Sequence, residues 1–232
     1  RYNSGLTVKD VTTLQTNVLT QITAYNNDTL EDFAGMFRYS QLLQTVNEAD
    51  TSILSNITTV KMYKLVTPTL SEALKYTLSF NNALYNPHSG HNATGGGIIS
   101  STGFKISDDD STNEHFLDDT GAGVLRVYYL NGATRVYTDA TYGTVDYDTG
   151  EVVLTSANIT SISNVDGATS TTIRVFAIPN SNDIVPVRNQ VLSIDTSNST
   201  ITGEVDGIIS GGSQAGTTYT TSSSYSSGSS TY

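Results

Sequence analysis

The chain has 232 residues, enough for one large or two small cores, yet only 14% of them are charged. Acidic residues outnumber basic ones 22 to 11, for a net charge of -11. A surface with that balance repels phosphate backbones and excludes a general nucleic-acid binder. The absence of cysteine excludes a disulfide framework, a thiolate zinc site and a cysteine nucleophile, and leaves the compartment open. The sequence shows neither a signal peptide nor an apolar run near the length of a membrane span. Its first residue is Arg1 rather than methionine, as in a processed product or a part of a longer polypeptide.

From Leu6 to Tyr25 the apolar residues fall at Val8, Val11, Leu14, Val18, Ile22 and Tyr25. Steps of three and four place them on one stripe of a helix. Asn26-Asn27 breaks that helix, and Asp28 with Glu31 resembles a capping box, so a second helix is predicted to carry Leu30, Phe33, Phe37, Leu42, Leu43 and Val46 to about Asn47. After Ser55 the period changes to two. Strands are expected over 57–63, ended by Pro68, and over Leu74 to Phe80. Residues 81–122 read as a loop-rich insertion with Pro87, a triple glycine at 95–97, an acidic cluster at 108–110 and one short strand within 97–106.

Residues 128–154, "YYLNGATRVYTDATYGTVDYDTGEVVL", alternate around two turn signals. Asn131-Gly132 suits a type I′ turn because both residues tolerate positive φ, and Asp148-Thr149-Gly150 is a second turn closed by glycine. Val127, Tyr129, Val136, Val145 and Val153 are expected to face inward. Strands at Thr171 to Ile178 and Pro186 to Ile194 complete the set. From Thr196 onward the sequence decays into Ser, Thr, Gly and Tyr, and that tail is predicted to be disordered alone or extended along a partner. The expected fold is α+β: two N-terminal helices packed with a mainly antiparallel β domain of short hairpins. Its expected organisation is 1–65, 66–195 and a low-complexity tail at 196–232.

Asp148-Thr149-Gly150 spells the signature of an aspartic-protease aspartate, but such enzymes need a second aspartate sharing the proton, each after an apolar strand. Alternating hairpin flanks place Asp148 at a turn instead. His88 and His91, with His115, offer imidazoles for a metal, yet Pro87 and Gly90 argue against a helix that would aim the first two together. Asp108, Asp109 and Asp110 lack the ordered oxygen ligands and central glycine of a calcium loop. The glycines at 95–97 lack the Gly-Lys-Ser/Thr ending of a phosphate loop. Glycosylation triplets at Asn27, Asn56, Asn92, Asn158 and Asn198 follow from abundant Asn and Thr. No catalytic residue, metal site, cofactor or small-molecule substrate is assigned. The candidate interface residues are Val11, Leu14, Val18, Ile22, Phe33 and Phe37.

"NDTLEDFAGMFRYSQLLQTVNEADTSILSNITTVKM" (27–62), "RVYYLNGATRVYTDATYGTVDYDTGEVVL" (126–154) and "SNDIVPVRNQVLSID" (181–195) resemble the C-terminal part of baseplate wedge proteins of large contractile-tailed bacteriophages, relatives of the baseplate J-like proteins. Phe37-Arg38-Tyr39-Ser40 and Ala49-Asp50-x-Ser52-Ile53 are its more distinctive motifs, and it spans roughly residues 6–195, although family members are longer at the N-terminus. The resemblance implies a structural virion protein of the tail baseplate, assembled in the host cytoplasm. Such a protein is dimeric in each wedge, joined with copies of itself into an inner ring around the hub, bound to other wedge proteins, and part of the relay for contraction. The rival class is a secreted or cell-surface β-rich adhesin or carbohydrate-binding module, whose strand tyrosines would stack on sugars.

Overall fold

The computed structural model describes residues 1–33, 35–91, 97–109, 112–165, 167–187 and 190–206. They form an α+β fold of two α-helices, a π-turn and nine strands, in two compact units. The first contains residues 1–58 and the described residues after 187, and the second spans 59–187.

In the first unit, helix α1 (Val11–Tyr25) starts where the Asp10 carboxylate accepts from the Thr13 N–H at 2.7 Å, which satisfies one of the free donors of the first turn. Residues 6–9, expected to be helical, precede that cap. The helix then widens into a π-turn, Asn26–Leu30, instead of stopping at Asn26-Asn27. The second helix, α2 (Tyr39–Glu48), starts well after the expected position. The side chain of Glu31 explains the difference: it accepts from Asn26 Nδ2 at 2.8 Å and from Ser193 Oγ at 3.0 Å rather than capping a helix at Asp28. Gly35 lies so close to the Leu30 carbonyl that any Cβ would collide with it, which keeps the connection folded back on the π-turn. Asn56 donates to the Leu43 carbonyl, and Tyr39 Oη donates to the Thr58 carbonyl at 2.7 Å. Those bonds tie 56–58 to α2, so the expected strand is delayed to β1 (Met62–Val66).

The second unit is a β structure. Strands β1, β9 (Ile173–Ala177) and β3 (Ile99–Ser101) form a three-stranded antiparallel sheet in the order β1-β9-β3. The larger sheet runs β2 (Ala73–Ser79), β8 (Glu151–Ile162), β4 (Phe104–Ile106), β5 (His115–Asp119), β6 (Val124–Asn131) and β7 (Thr134–Asp146). Strand β7 also pairs with β8, which closes β4 to β8 into a barrel. Closure runs through Gly143–Asp146 of β7, which pair with Glu151–Leu154 of β8. Phe104, Leu117, Leu125, Val127, Val152 and Ile159 are all within 1% of complete burial and fill the unit's core.

Both expected hairpins are present, β6–β7 around Asn131-Gly132 and β7–β8 around Asp148-Thr149-Gly150. Val127 and Val145 face the core as expected, whereas Tyr129 and Val136 are only half-buried. On β8 the inward residues are Val152 and Leu154, with Val153 half-buried between them. Val152 pairs with Val145, so the register set by the turn moves the apolar set by one residue from the expectation. Residues 81–122 carry three strands where one was expected, because His115–Asp119 hides its inward set behind polar residue types. The described residues of 186–194 form no strand.

The expected tail divides at Asp206. After a turn at 196–198, the chain to residue 206 lies along the first unit itself: Tyr2 donates to the Glu204 carbonyl at 2.9 Å and accepts from Asp206 N–H at 2.8 Å. Residues 207–232 lie outside the described residues.

Candidate functional site

Four of the six candidate interface residues are taken up by the first unit's own interior. Leu14, Val18, Ile22 and Phe37 are each at most 8% exposed. Tyr25 meets Phe37 edge to face with ring centroids 6.4 Å apart. The α1 stripe is thus covered within one chain, against the rest of its own unit. Val11 is half-buried, and a Cβ at Gly203 would press on its side chain. Phe33 is the exception at 84% exposed, and Val8, Leu6 and Ile57 are also largely exposed in this unit. Four large apolar side chains on a unit of this size exceed the isolated exposures that need no explanation.

The second unit contains a polar construction that periodicity did not reveal. Asp118 is 1% exposed and accepts from Arg126 Nε at 2.9 Å, Arg135 Nη1 at 2.8 Å and Tyr137 Oη at 2.9 Å. The Arg126 guanidinium also lies 4.2 Å from the Tyr137 ring centroid, and Arg135 lies 4.6 Å from that of Tyr128. Burial raises the Tyr137 hydroxyl pKa, and the Asp118 carboxylate adds to the effect. Two charge-assisted bonds and two stacked cations hold the outer faces of β5, β6 and β7 in one arrangement. Two of the strand tyrosines that a sugar-stacking module would present, Tyr128 and Tyr137, thus each hold a guanidinium over the ring. Arg126 and Arg135 flank the Asn-Gly turn on facing strands, and in a chain with 11 cationic residues that placement was the available sequence signal.

Asp119, fully buried, has a different task. Its carboxylate accepts from the Ile98, Ile99 and Gly121 N–H groups at 2.6, 2.8 and 3.0 Å and from Tyr147 Oη at 2.6 Å. Gly97, the last of the three glycines, has no room for a Cβ because this carboxylate occupies the space. The other two lie outside the described residues. Asp119 thus fastens the start of β3 to the end of β5. Burial raises the Tyr147 pKa, reinforced by its bond to Asp119.

The histidines divide. His88 and His91 meet, with Nε2 to Nδ1 at 3.1 Å, on an exposed loop. His115 is fully buried at the start of β5, with Nε2 at 3.0 Å from Asp109 and 3.1 Å from Thr138 Oγ1. Among the described residues no three His, Cys, Asp or Glu side chains are grouped to hold a metal ion. Asp108 accepts from Ser107, and Asp110 lies outside the described residues. Asp148 occupies an exposed turn, where its N–H and that of Thr149 donate to Asp146 Oδ1 at 3.0 and 3.2 Å. Bonds from Thr149 lower the Asp146 pKa. Gly150 completes the turn at φ 72°, a left-handed conformation that favours glycine. The Asp-Thr-Gly sequence here builds a turn.

The first unit is also where comparison with known proteins is informative. Residues 1–65 match the family described as baseplate structural protein gp6, C-terminal domain III. The match supports a structural role in a phage tail baseplate and a location in the virion, and a family described as structural argues against an enzyme. It also supports assembly with other baseplate proteins. It covers the two helices, the exposed Phe33 and both distinctive sequence motifs, and ends within β1. Comparison with curated proteins gives no match.

Proposed function

We propose that this chain is a structural component of the baseplate of a contractile phage tail. It joins copies of itself into an inner wedge ring around the hub, contacts other wedge proteins, and transmits the signal for contraction. Domain boundaries at 1–65, 66–195 and 196–232 belong to the same reading. The observation that carries it is the baseplate-domain match over residues 1–65. The exposed apolar residues of that segment support it physically: Phe33, Val8, Leu6 and Ile57 form a better contact set than the covered α1 stripe. Large apolar side chains left outside a core are material for an interface. The second unit contributes a frame that resists deformation, since its barrel is closed and its outer face is fastened by Asp118.

The test is assembly of the full chain. Phe33→Asp should shift the size distribution from multimers to single chains, with an unchanged circular dichroism spectrum and melting temperature, because an 84% exposed side chain contributes little to its own fold. Multimers that survive this change would remove Phe33 from the interface. A wild-type chain that remains single at all concentrations would overturn the ring.

A further inference from the structure

The C-terminal strap, residues 190–206, is held to the first unit in an unusual way. None of its residues is buried, and Val191 and Val205 are each 50% exposed. Beside the half-buried Leu192, Ile194 and Ile201, a series of directed polar contacts holds it. Ile194 N–H donates to Asn26 Oδ1 at 2.6 Å, Ser193 Oγ to Glu31 at 3.0 Å, and Gln15 Nε2 to the Ile201 carbonyl at 2.7 Å. At its end Val205 forms a parallel bridge with Tyr2, whose N–H and carbonyl are both used by the strap.

The surface that receives the strap is fixed independently of it. Tyr2 bridges Ile53 in antiparallel fashion on its other side, Asn26 is bonded to Glu31, and Gln15 stands on α1. This is the geometry of strand addition: an acceptor edge already in place and an extended segment supplying main-chain bonds. The strap's Leu192, Ile194 and Ile201 are only half-buried, so the segment opens at a lower free energy than an element of the core.

We propose that the first unit is an acceptor for residues 190–206 of a second copy of this chain, and that straps are exchanged between neighbouring copies in the assembled ring. The inference rests on the ring reading above. The occupant is specified by fit, because an identical strap restores each of the bonds that the chain's own strap makes. Exchange therefore loses no contacts, and a neighbour held in a ring presents its strap at high effective concentration.

The absence of cysteine makes the test clean. A Cβ at Gly203 would stand 3.9 Å from the Cβ of Val11, within the range a disulfide spans. Two full-length chains, one carrying Val11→Cys and the other Gly203→Cys, are co-expressed, concentrated and oxidised. The bridge can then form only between chains. Exchange is expected to give a covalent band at double the chain mass that disappears on reduction, while either variant alone gives none. A chain carrying both substitutions reports whether the bridge forms at all. If that chain closes within itself and the mixture stays unlinked, exchange is overturned. In that case multimers seen by sizing leave the ring reading standing, whereas single chains alone overturn both. A mixture linked equally by a control pair of Val11→Cys and the exposed Ser197→Cys would mean collision rather than exchange, and would also overturn it.

Discussion

The two units solve the same problem with different materials. In the second, a cluster of 20 buried residues is enclosed by strands that close on themselves, with carboxylates at the seams. Among the described residues of the first, seven large apolar side chains are buried, namely Leu14, Val18, Ile22, Tyr25, Leu30, Phe37 and Leu42. The rest of that unit depends on polar contacts at its surface. Asn26, Glu31, Gln15 and Tyr2 each hold a piece of the C-terminal strap. Apolar burial scales with the area removed from water and gives the β unit a large margin. Surface hydrogen bonds exchange with water and contribute much less each. The baseplate-domain match falls on the unit with the smaller margin. Segments that rearrange on assembly are drawn from the less stable parts of a structure.

The largest effect should come from the barrel core. Phe104→Ala removes a fully buried ring and should cost about 3–5 kcal/mol, read from denaturant unfolding of the full chain. Amide exchange in α1 should change far less than exchange in β4–β8. Equal loss in both places would mean that the units unfold as one cooperative core.

The carboxylate seams come next. Asp119→Asn places an amide where three N–H groups and a hydroxyl converge, so at least one donor loses its acceptor. About 1–3 kcal/mol of stability should be lost, with exchange rising first at Ile98 and Ile99. If stability does not move, the seam is ornamental and closure of the barrel suffices.

Acid and alkali should separate the units. Asp50 in the first unit is pulled down to about 2, chiefly by the hydrogen bond from Lys9 and then by bonds from Ser52. A lowered carboxylate contributes stability that is present above its ordinary value of 3.8 and is lost as pH falls towards 2. In the second unit burial raises the pKa of both Tyr142 and Tyr147, with nearby carboxylates adding to it. A raised phenol contributes stability fully present below pH 10 and lost as pH rises beyond it. Residue-resolved exchange should show α1 and the strap loosening first in acid and the barrel first in alkali. Asp50→Asn and Tyr147→Phe should each flatten one limb of that profile and leave the other.

The smallest effect belongs to Asp148→Asn. An exposed turn position takes the amide with a change within about 0.5 kcal/mol by thermal melting. A larger loss would show that the Asp-Thr-Gly turn does more than connect two strands.

The sequence by itself determined the elements whose cause is local. Period-two alternation and the Asn-Gly and Asp-Thr-Gly signals placed both hairpins, and steps of three and four placed α1. The resemblance read from residues 27–62 lies wholly within the segment matched by the baseplate domain. Tertiary structure decided the rest, because each remaining feature depends on a distant partner. Glu31 is bound to Asn26 and Ser193 instead of capping a helix, so the second helix moved to Tyr39. Asp118 and Asp119 lie in a stretch that reads as loop-rich, and only tertiary structure surrounds them with Arg126, Arg135 and a row of backbone N–H groups. The α1 stripe could have faced a neighbour or its own chain. Local periodicity defines an apolar face but not what covers it, and that choice was made by packing within the unit while Phe33 was left outside.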